Sequence, residues 1–279
     1  MPVLSINGTE LFHFPVGSGI PCLVMHGGLG FDHTLLHPWL DPLSDRLQLV
    51  YYDHRGHGRS GRPDPASITF EALCADADAL RTHLGHRKVA VIGHSYGGLL
   101  AIDYALHYPE RVSHLILVDS TPRLDFGDAV MSAQRRGGSA EQIAAFSKAA
   151  TCSDEELGKL FEILLPLYFQ TYRGDEFQRL AAKILWSASG FRRGAELSTG
   201  LDLTPRLGEV SAPTLIIVGD DDFITPVASS EILHRGIPGA ELQVIPRSGH
   251  FPYFEQPAEF FLVARDWVAR RGPSDNYAR

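Results

Sequence analysis

The sequence predicts an α/β protein, in which a mostly parallel sheet is flanked by helices on both faces. Short apolar runs rich in β-branched residues alternate with longer stretches of helical period. The run at 88–92 breaks into Gly-His-Ser-Tyr-Gly at 93–97, and an alanine-containing apolar helix follows. A buried strand, a tight turn and a helix in this order place the middle residue of the turn at the carboxyl end of a central strand.

The composition excludes several classes of protein. With 279 residues and 44% hydrophobic content, the chain can bury the core of one large domain. A net charge of −8 without a basic run argues against nucleic acid or anionic membranes as partners. No apolar segment approaches the ~20 residues of a membrane helix, and the N-terminus lacks signal-peptide features. We therefore expect a cytoplasmic protein whose partner is a small molecule.

The three cysteines, Cys22, Cys74 and Cys152, are scattered. Their spacing fits neither a disulfide framework nor a metal site. We expect no metal and no cofactor.

The predicted elements follow the chain in alternation. We predict strands at 11–14, 22–25, 47–52, 88–92, 112–118, 214–218 and 241–245, and core helices at 70–84, 98–108, 227–235 and 258–270.

One segment breaks this alternation. Residues 121–207 contain no convincing strand and instead show helical patterns at 140–150, 154–172 and 175–188. Ser153 can cap a helix whose first turn is acidic. We predict a core formed by residues 1–120 and 208–279, into which 121–207 are inserted as a helical lid. Most lid aromatics would form a small core, and a minority, among them Phe126 and Trp186, would contact substrate.

Ser95 is the predicted nucleophile. The turn around it is so tight that side chains two residues before and after would collide with the backbone, which explains Gly93 and Gly97. The helix that follows directs its N-terminal N–H groups toward any negative charge that forms there.

A serine hydroxyl needs a base, and the base needs an orienting acid. His250 stands in Ser-Gly-His-Phe-Pro, a turn after the last predicted strand, and is the predicted base. Three aspartates at 220–222 follow the strand at 214–218, and spacing favours Asp222 as the acid. Asp119, after the strand at 112–118, is the alternative. The order Ser95, Asp222, His250 is that of the nucleophile-elbow hydrolases.

Two backbone N–H groups are the predicted donors to the oxyanion. One belongs to Tyr96, the residue after the nucleophile, and the other to Gly28 in His-Gly-Gly-Leu-Gly at 26–30. His26 is expected to brace this loop. No Gly-Lys-Ser/Thr follows the glycines, so a nucleotide-binding loop is excluded.

The motif Asp-His-Arg-Gly-His-Gly-Arg-Ser at 53–60 is interpreted as structural. Its histidines lack the cysteine or carboxylate cluster that would complete a metal site. Asp53 and Arg55 are expected to hold loops beneath the active site.

Together these motifs resemble the α/β-hydrolase superfamily, most closely its prolyl iminopeptidase-like and carboxylesterase branch. That branch shows His-Gly-Gly-Pro-Gly and Asp-Gln-Arg-Gly-x-Gly-x-Ser, where this chain has Leu29 in place of proline and His54 in place of glutamine. The resemblance implies the α/β-hydrolase fold and a serine hydrolase.

The resemblance leaves two substrate classes open. Its aminopeptidases bind the substrate's amino group with glutamates of the lid, and Glu196 could supply one. Some relatives place another glutamate after the triad aspartate, where this chain has Phe223. Because an apolar wall stabilises an ammonium poorly, we favour small or medium carboxylic esters or lactones, with N-terminal proline cleavage as the alternative. Carbon–carbon bond hydrolases, cofactor-free perhydrolases and a non-catalytic ligand receptor are further alternatives.

Overall fold

The fold is seen in a computed structural model that describes residues 3–28, 30–124, 126–172 and 174–272, without the side chains of Phe126, Glu176 and Leu180. Within these residues one sheet contains eight strands: β1 (Val3–Ile6), β2 (Thr9–Val16), β3 (Ile20–Met25), β4 (Leu47–Tyr52), β5 (Val89–His94), β6 (Val112–Val118), β7 (Thr214–Gly219) and β8 (Glu241–Ile245).

The strand order explains why a functional turn lies after β5. The order is β1-β2-β4-β3-β5-β6-β7-β8. The β1–β2 and β2–β4 pairs are antiparallel, and the six strands from β3 to β8 pair in parallel with one another. All six residues of β5 are buried, as are those of β3 and β7. Buried strands of a parallel sheet read as continuous apolar runs, which is why they were predicted from the sequence. The predicted α/β-hydrolase architecture is confirmed.

The described helices are α1 (Phe70–His83), α2 (Tyr96–His107), α3 (Phe126–Arg135), α4 (Ala140–Lys148), α5 (Asp154–Tyr168), α6 (Gly174–Ala181), α7 (Ala188–Ser198), α8 (Val227–Gly236), α9 (Pro252–Glu255) and α10 (Pro257–Arg271). The core helices α1, α2, α8 and α10 confirm the prediction to within a few residues. None of the described helices is long and apolar enough to cross a membrane.

The segment predicted as a lid, residues 121–207, contains α3 to α7 between β6 and β7. At the start of α5, Ser153 accepts from the Glu156 N–H and the Glu156 carboxylate accepts from Ser153, so the predicted cap is a full capping box. The helix predicted at 175–188 was too long, because α6 ends at Ala181.

Besides the one-turn helix α9, three elements were missed. The first, α7, contains Gly190 and Gly194, whose low helix propensity hides it; a bond from the Gly190 N–H to the Ser187 hydroxyl caps it. The second is α3, which follows the loop after β6. The third is β1, an edge strand whose residues are exposed or half-buried and so lack an apolar pattern.

Candidate active site

Ser95 lies on a strained turn between β5 and α2. Its φ is +56°, a left-handed value that is rare for a residue with a side chain. The turn is held by a hydrogen bond of 2.9 Å, which the Ser95 N–H donates to the Val118 carbonyl of β6. A Cβ on Gly93 would collide with the Gly97 backbone, and one on Gly97 with the Met25 carbonyl of β3. The packing therefore requires both glycines of the predicted turn.

His250 and Asp222 lie side by side at the carboxyl ends of β8 and β7. The His250 Nδ1 is 2.8 Å from the Asp222 Oδ2, and both residues are buried. The backbone of the histidine is also fixed, since its N–H donates to the Tyr168 carbonyl of the lid over 2.7 Å. His250 and Ser95 line the same cavity.

The hydrogen bonds around Asp222 hold it as a carboxylate. Burial alone would raise its pKa, but the charge and hydrogen bond of His250 and the donors of Thr225 lower the pKa to about 2. Thr225 donates its hydroxyl over 2.6 Å, and the N–H groups of Ile224 and Thr225 complete the shell. An ionised Asp222 at Nδ1 keeps the ring proton on that nitrogen and leaves the lone pair on Nε2.

The three consecutive aspartates take three different partners. Asp220 is exposed and accepts from the Ser248 N–H at 3.2 Å. Asp221 pairs with the Arg136 guanidinium of the lid. Asp222 is the one that meets His250, as the sequence spacing favoured.

The alternative acid, Asp119, lies in the same cluster but makes no hydrogen bond to the imidazole. Its carboxyl accepts a hydrogen bond from the Gly219 N–H at 2.9 Å. One of its carboxyl oxygens also lies within 4.8 Å of a carboxyl oxygen of Asp222 and of a ring nitrogen of His250. Burial and then the charge of Asp222 raise the pKa of Asp119 well above its usual range.

His94, which precedes the serine, was not predicted as a site residue. Its Nε2 lies 2.9 Å from the His250 carbonyl, and the two rings are 4.7 Å apart. Burial, followed by the His250 charge, lowers the pKa of His94 to about 3, so the ring is neutral and Nε2–H donates. His94 therefore holds the loop that carries His250. Its place in the turn was the only signal for it in the sequence.

The two predicted oxyanion donors flank Ser95. Tyr96 begins α2, where backbone N–H groups have no partner within the helix. Gly28 has a φ of +68°, and a Cβ there would collide with the Phe31 ring. Both residues line the cavity that contains Ser95. Leu29 of the same loop lies outside the described residues.

A small apolar cavity of about 60 Å³ opens over Ser95. Its wall combines core and lid residues: Phe31, Leu35, Leu124, Ala129, Phe146, Phe161, Tyr168, Phe191, Ile224 and Phe251. None of the described lining residues is an aspartate or a glutamate. Phe31 and Phe251 follow the predicted loop and base directly, which is the sequence signal that could have identified them.

The described side chains that were predicted to contact substrate do not line this cavity. Trp186 stacks behind the wall on Phe161, with ring centroids 5.3 Å apart, and Phe223 packs edge-on against Tyr168. Glu196 has a largely exposed side chain, pairs with Arg193 at 3.1 Å, and lines an open groove of the lid that adjoins the cavity at Phe146 and Phe191. The side chain of Phe126 lies outside the described residues. These positions depend on packing between segments that are distant in the sequence, and the sequence pattern left that packing open.

The 53–60 motif braces the loops beneath the site, as expected. Asp53 accepts from the His33 N–H at 2.8 Å and from its Nδ1 at 2.6 Å. Arg55 makes two bonds of 2.6 Å to Asp76 of α1. His26 accepts from the His54 N–H at 3.2 Å.

Two clusters away from Ser95 contain metal-ligating residue types. In the first, Asp32 and Asp53 are paired with Arg59 and His33. In the second, the Cys74 thiol donates to Asp103, which also pairs with His107. These groups satisfy one another as hydrogen-bonded pairs.

Comparison with known proteins places the chain in a family. Residues 21–257 match the family model described as alpha/beta hydrolase fold. A proline iminopeptidase, PfmaB of Pestalotiopsis fici, is 29% identical over 91% of this chain and 94% of its own length. The enol-lactonase from Burkholderia xenovorans superimposes with a TM-score of 0.78 and 24% identity, covering 96% of this chain and all of that one. A thermophilic esterase from Thermogutta terrifontis gives a TM-score of 0.72 at 28% identity, covering 97% of each chain.

The family model spans most of the chain, and both solved structures superimpose over nearly their whole length. The protein therefore belongs to the α/β-hydrolase family.

Proposed function

We propose that the chain is a serine hydrolase that cleaves small or medium carboxylic esters or lactones through an acyl-enzyme. The observation that carries the proposal is the hydrogen bond of 2.8 Å between His250 and an ionised Asp222, beside a strained Ser95 that opens into an apolar cavity.

The chemistry follows from these atoms. The Ser95 Oγ attacks the carbonyl carbon while the His250 Nε2 takes the hydroxyl proton. The Gly28 and Tyr96 N–H groups donate to the oxyanion, each worth about 3 kcal/mol in the transition state. The imidazolium, held by Asp222, returns the proton to the leaving alkoxide. Water, deprotonated by the same nitrogen, then releases the acid and restores the serine.

The cavity wall supports a neutral acyl group. Its apolar residues include Ile224 and Phe251, and its described lining has no carboxylate to pair with an ammonium. Burying an unpaired charge there is unfavourable. The small volume favours short acyl chains over the drug-sized ligands that fill ~300–1,000 Å³.

The proline iminopeptidase relative favours a second candidate, cleavage of an N-terminal proline. In that case Glu196 would have to leave Arg193 and reach past Phe146 and Phe191 from the adjoining groove into the cavity.

A substrate panel tests the proposal. We expect p-nitrophenyl acetate and butyrate and a lactone panel to be cleaved with kcat/KM at least ~100-fold above that of proline β-naphthylamide. Ser95→Ala should abolish turnover, whereas Glu196→Gln should not affect esters. Strong cleavage of the proline amide that disappears in Glu196→Gln would establish the peptidase instead. Ligand binding with negligible ester turnover would indicate a receptor.

A further inference from the structure

Asp119 is a buried acid that the proposed chemistry does not use. It follows β6 with a φ of +44°, a left-handed value, and its N–H donates to the Ile217 carbonyl of β7 over 2.8 Å. The side chain is fully buried. Such a strained, buried position persists only where the surrounding structure holds it.

The two carboxyl oxygens of Asp119 differ in their surroundings. One accepts from the Gly219 N–H, at the point where β7 ends and the turn to Asp222 begins. The other, Oδ2, is buried and accepts no hydrogen bond from the described residues. An unpaired buried carboxylate oxygen is costly, whereas a protonated oxygen there becomes a donor.

The group that can accept this proton is Asp222. One carboxyl oxygen of Asp119, one of Asp222 and a ring nitrogen of His250 all lie within 4.8 Å of one another. Two negative charges in one buried site repel each other, which favours a proton on one of the two carboxyls. Asp222 receives bonds from two N–H groups, from the Thr225 hydroxyl and from His250, and these hold the negative charge on it.

The other titratable groups around Asp119 do not favour its ionisation. Glu255 and Tyr253, both on α9, face it along with Asp222. Burial and the Asp222 charge raise its pKa well above the usual range. The proton therefore belongs on Asp119.

We propose that Asp119 is a neutral positioning residue of the triad, which holds Gly219 with one oxygen and donates a proton from the other to the Asp222 carboxylate. The inference rests on the proposed function for the part played by Asp222. In this arrangement the Asp119 carboxyl holds the Asp222 carboxylate in place and adds no charge to the site.

The first test separates a neutral Asp119 from an ionised one. Asp119→Asn keeps an acceptor for Gly219 and an N–H donor for Asp222 and, if Asp119 is neutral, changes no charge. We expect kcat/KM for p-nitrophenyl acetate within about threefold of wild type and an unmoved acidic limb of its pH profile. A displacement of that limb to lower pH by about one unit would show that a negative charge had been removed and would overturn the proposal.

The second test measures positioning. Asp119→Ala removes both contacts, and we expect kcat to fall about 10- to 100-fold with KM changed less than threefold, while Asp119→Asn restores the rate. Wild-type kcat in Asp119→Ala would refute a positioning role. Should the alanine variant not fold, Asp119→Ser, which removes the carboxyl but leaves a polar side chain, is judged by the same criterion.

A readout without turnover keeps this inference separable from the proposed function. The infrared difference spectrum of wild type minus Asp119→Asn at pH 8 should contain the C=O stretch of a protonated carboxylic acid. Asp202→Asn, which removes an exposed carboxylate, is the matched control and should lack it. Absence of the band from the Asp119 pair would overturn the proposal. Its presence in a protein that hydrolyses no ester would refute only the proposed function.

Discussion

Arg136, just beyond α3 of the lid, binds Asp221, the residue immediately before Asp222, through both its main chain and its side chain. Its guanidinium donates to the Asp221 carbonyl at 3.0 Å, pairs with the Asp221 carboxylate, and donates to the Phe169 carbonyl at 2.9 Å. The arginine is largely buried. One side chain thus ties the inserted helices to the turn that presents the orienting acid.

Removing the Arg136 contacts should make the turn that carries Asp222 less rigid. For Arg136→Met we expect a loss of about 1–2 kcal/mol in unfolding free energy, since three charge-assisted bonds disappear, and a fall of about 5- to 20-fold in kcat/KM. Urea titration and ester kinetics measure the two effects. The neighbouring Arg135, whose guanidinium donates to the Ser132 hydroxyl on the exposed surface, gives the control Arg135→Met. Equal effects of the two variants would contradict a specific tie.

The orienting role of Asp222 predicts a large kinetic loss without unfolding. Asp222→Asn keeps the shape but presents an amide to His250, which favours the wrong tautomer. We expect kcat to fall about 10⁴-fold, as for an orienting aspartate in a serine triad, with an unchanged circular dichroism spectrum. The exposed neighbour gives the control Asp220→Asn. If Asp119→Asn abolished turnover and Asp222→Asn did not, the acid would be Asp119.

The buried ion pair of Arg55 and Asp76 should matter more for folding than for chemistry. Both side chains are almost fully buried, and removing one partner leaves a charge unpaired. We expect Asp76→Ala to cost about 3–5 kcal/mol and to lower Tm accordingly, while the folded fraction keeps its kcat. Lys159→Gln, which breaks an exposed pair with Glu155, is the control and should leave Tm unchanged. A Tm for Asp76→Ala close to that of wild type would contradict the prediction.

The buried histidines predict that stability falls in mild acid. Burial and then neighbouring histidines lower the pKa of His57 to about 4 and that of His54 well below its usual value, and burial and His250 lower that of His94 to about 3. The unfolded chain therefore binds more protons below pH ~6.5, so stability is complete above this pH and is lost as the pH falls.

Each such histidine should cost on the order of 1–2 kcal/mol by pH 5. Asp119, Asp103 and Glu255 act in the opposite direction, because burial raises the pKa of each. The histidines should outweigh them, and we expect Tm to fall by about 5 °C or more between pH 7 and pH 5. Scanning calorimetry measures this, and His57→Asn should reduce the slope. A Tm that is flat over this range would be inconsistent with neutral buried histidines.

Much of the candidate site could be predicted from the sequence because it depends on local constraints. Only glycine fits beside Ser95 in the turn after β5, and parallel strands bring their carboxyl ends to one edge, so the residues after β5, β7 and β8 meet there. Spacing alone favoured Asp222 among the three consecutive aspartates, and the hydrogen bond between Asp222 and His250 agrees with that prediction.

What the sequence left open depends on orientation between elements. Glu196 lies on α7, a helix that the sequence pattern did not reveal, and it lines an adjoining groove. Trp186 lies in the loop before α7 and packs behind the wall. The partners of His94 and Asp119 are likewise 156 and 100 residues distant in sequence, and no local pattern encodes them. The chain therefore determined by itself where the chemistry lies, through steric limits within single turns. Only the tertiary structure decided what surrounds it, because helix rotation and burial depend on packing between distant segments.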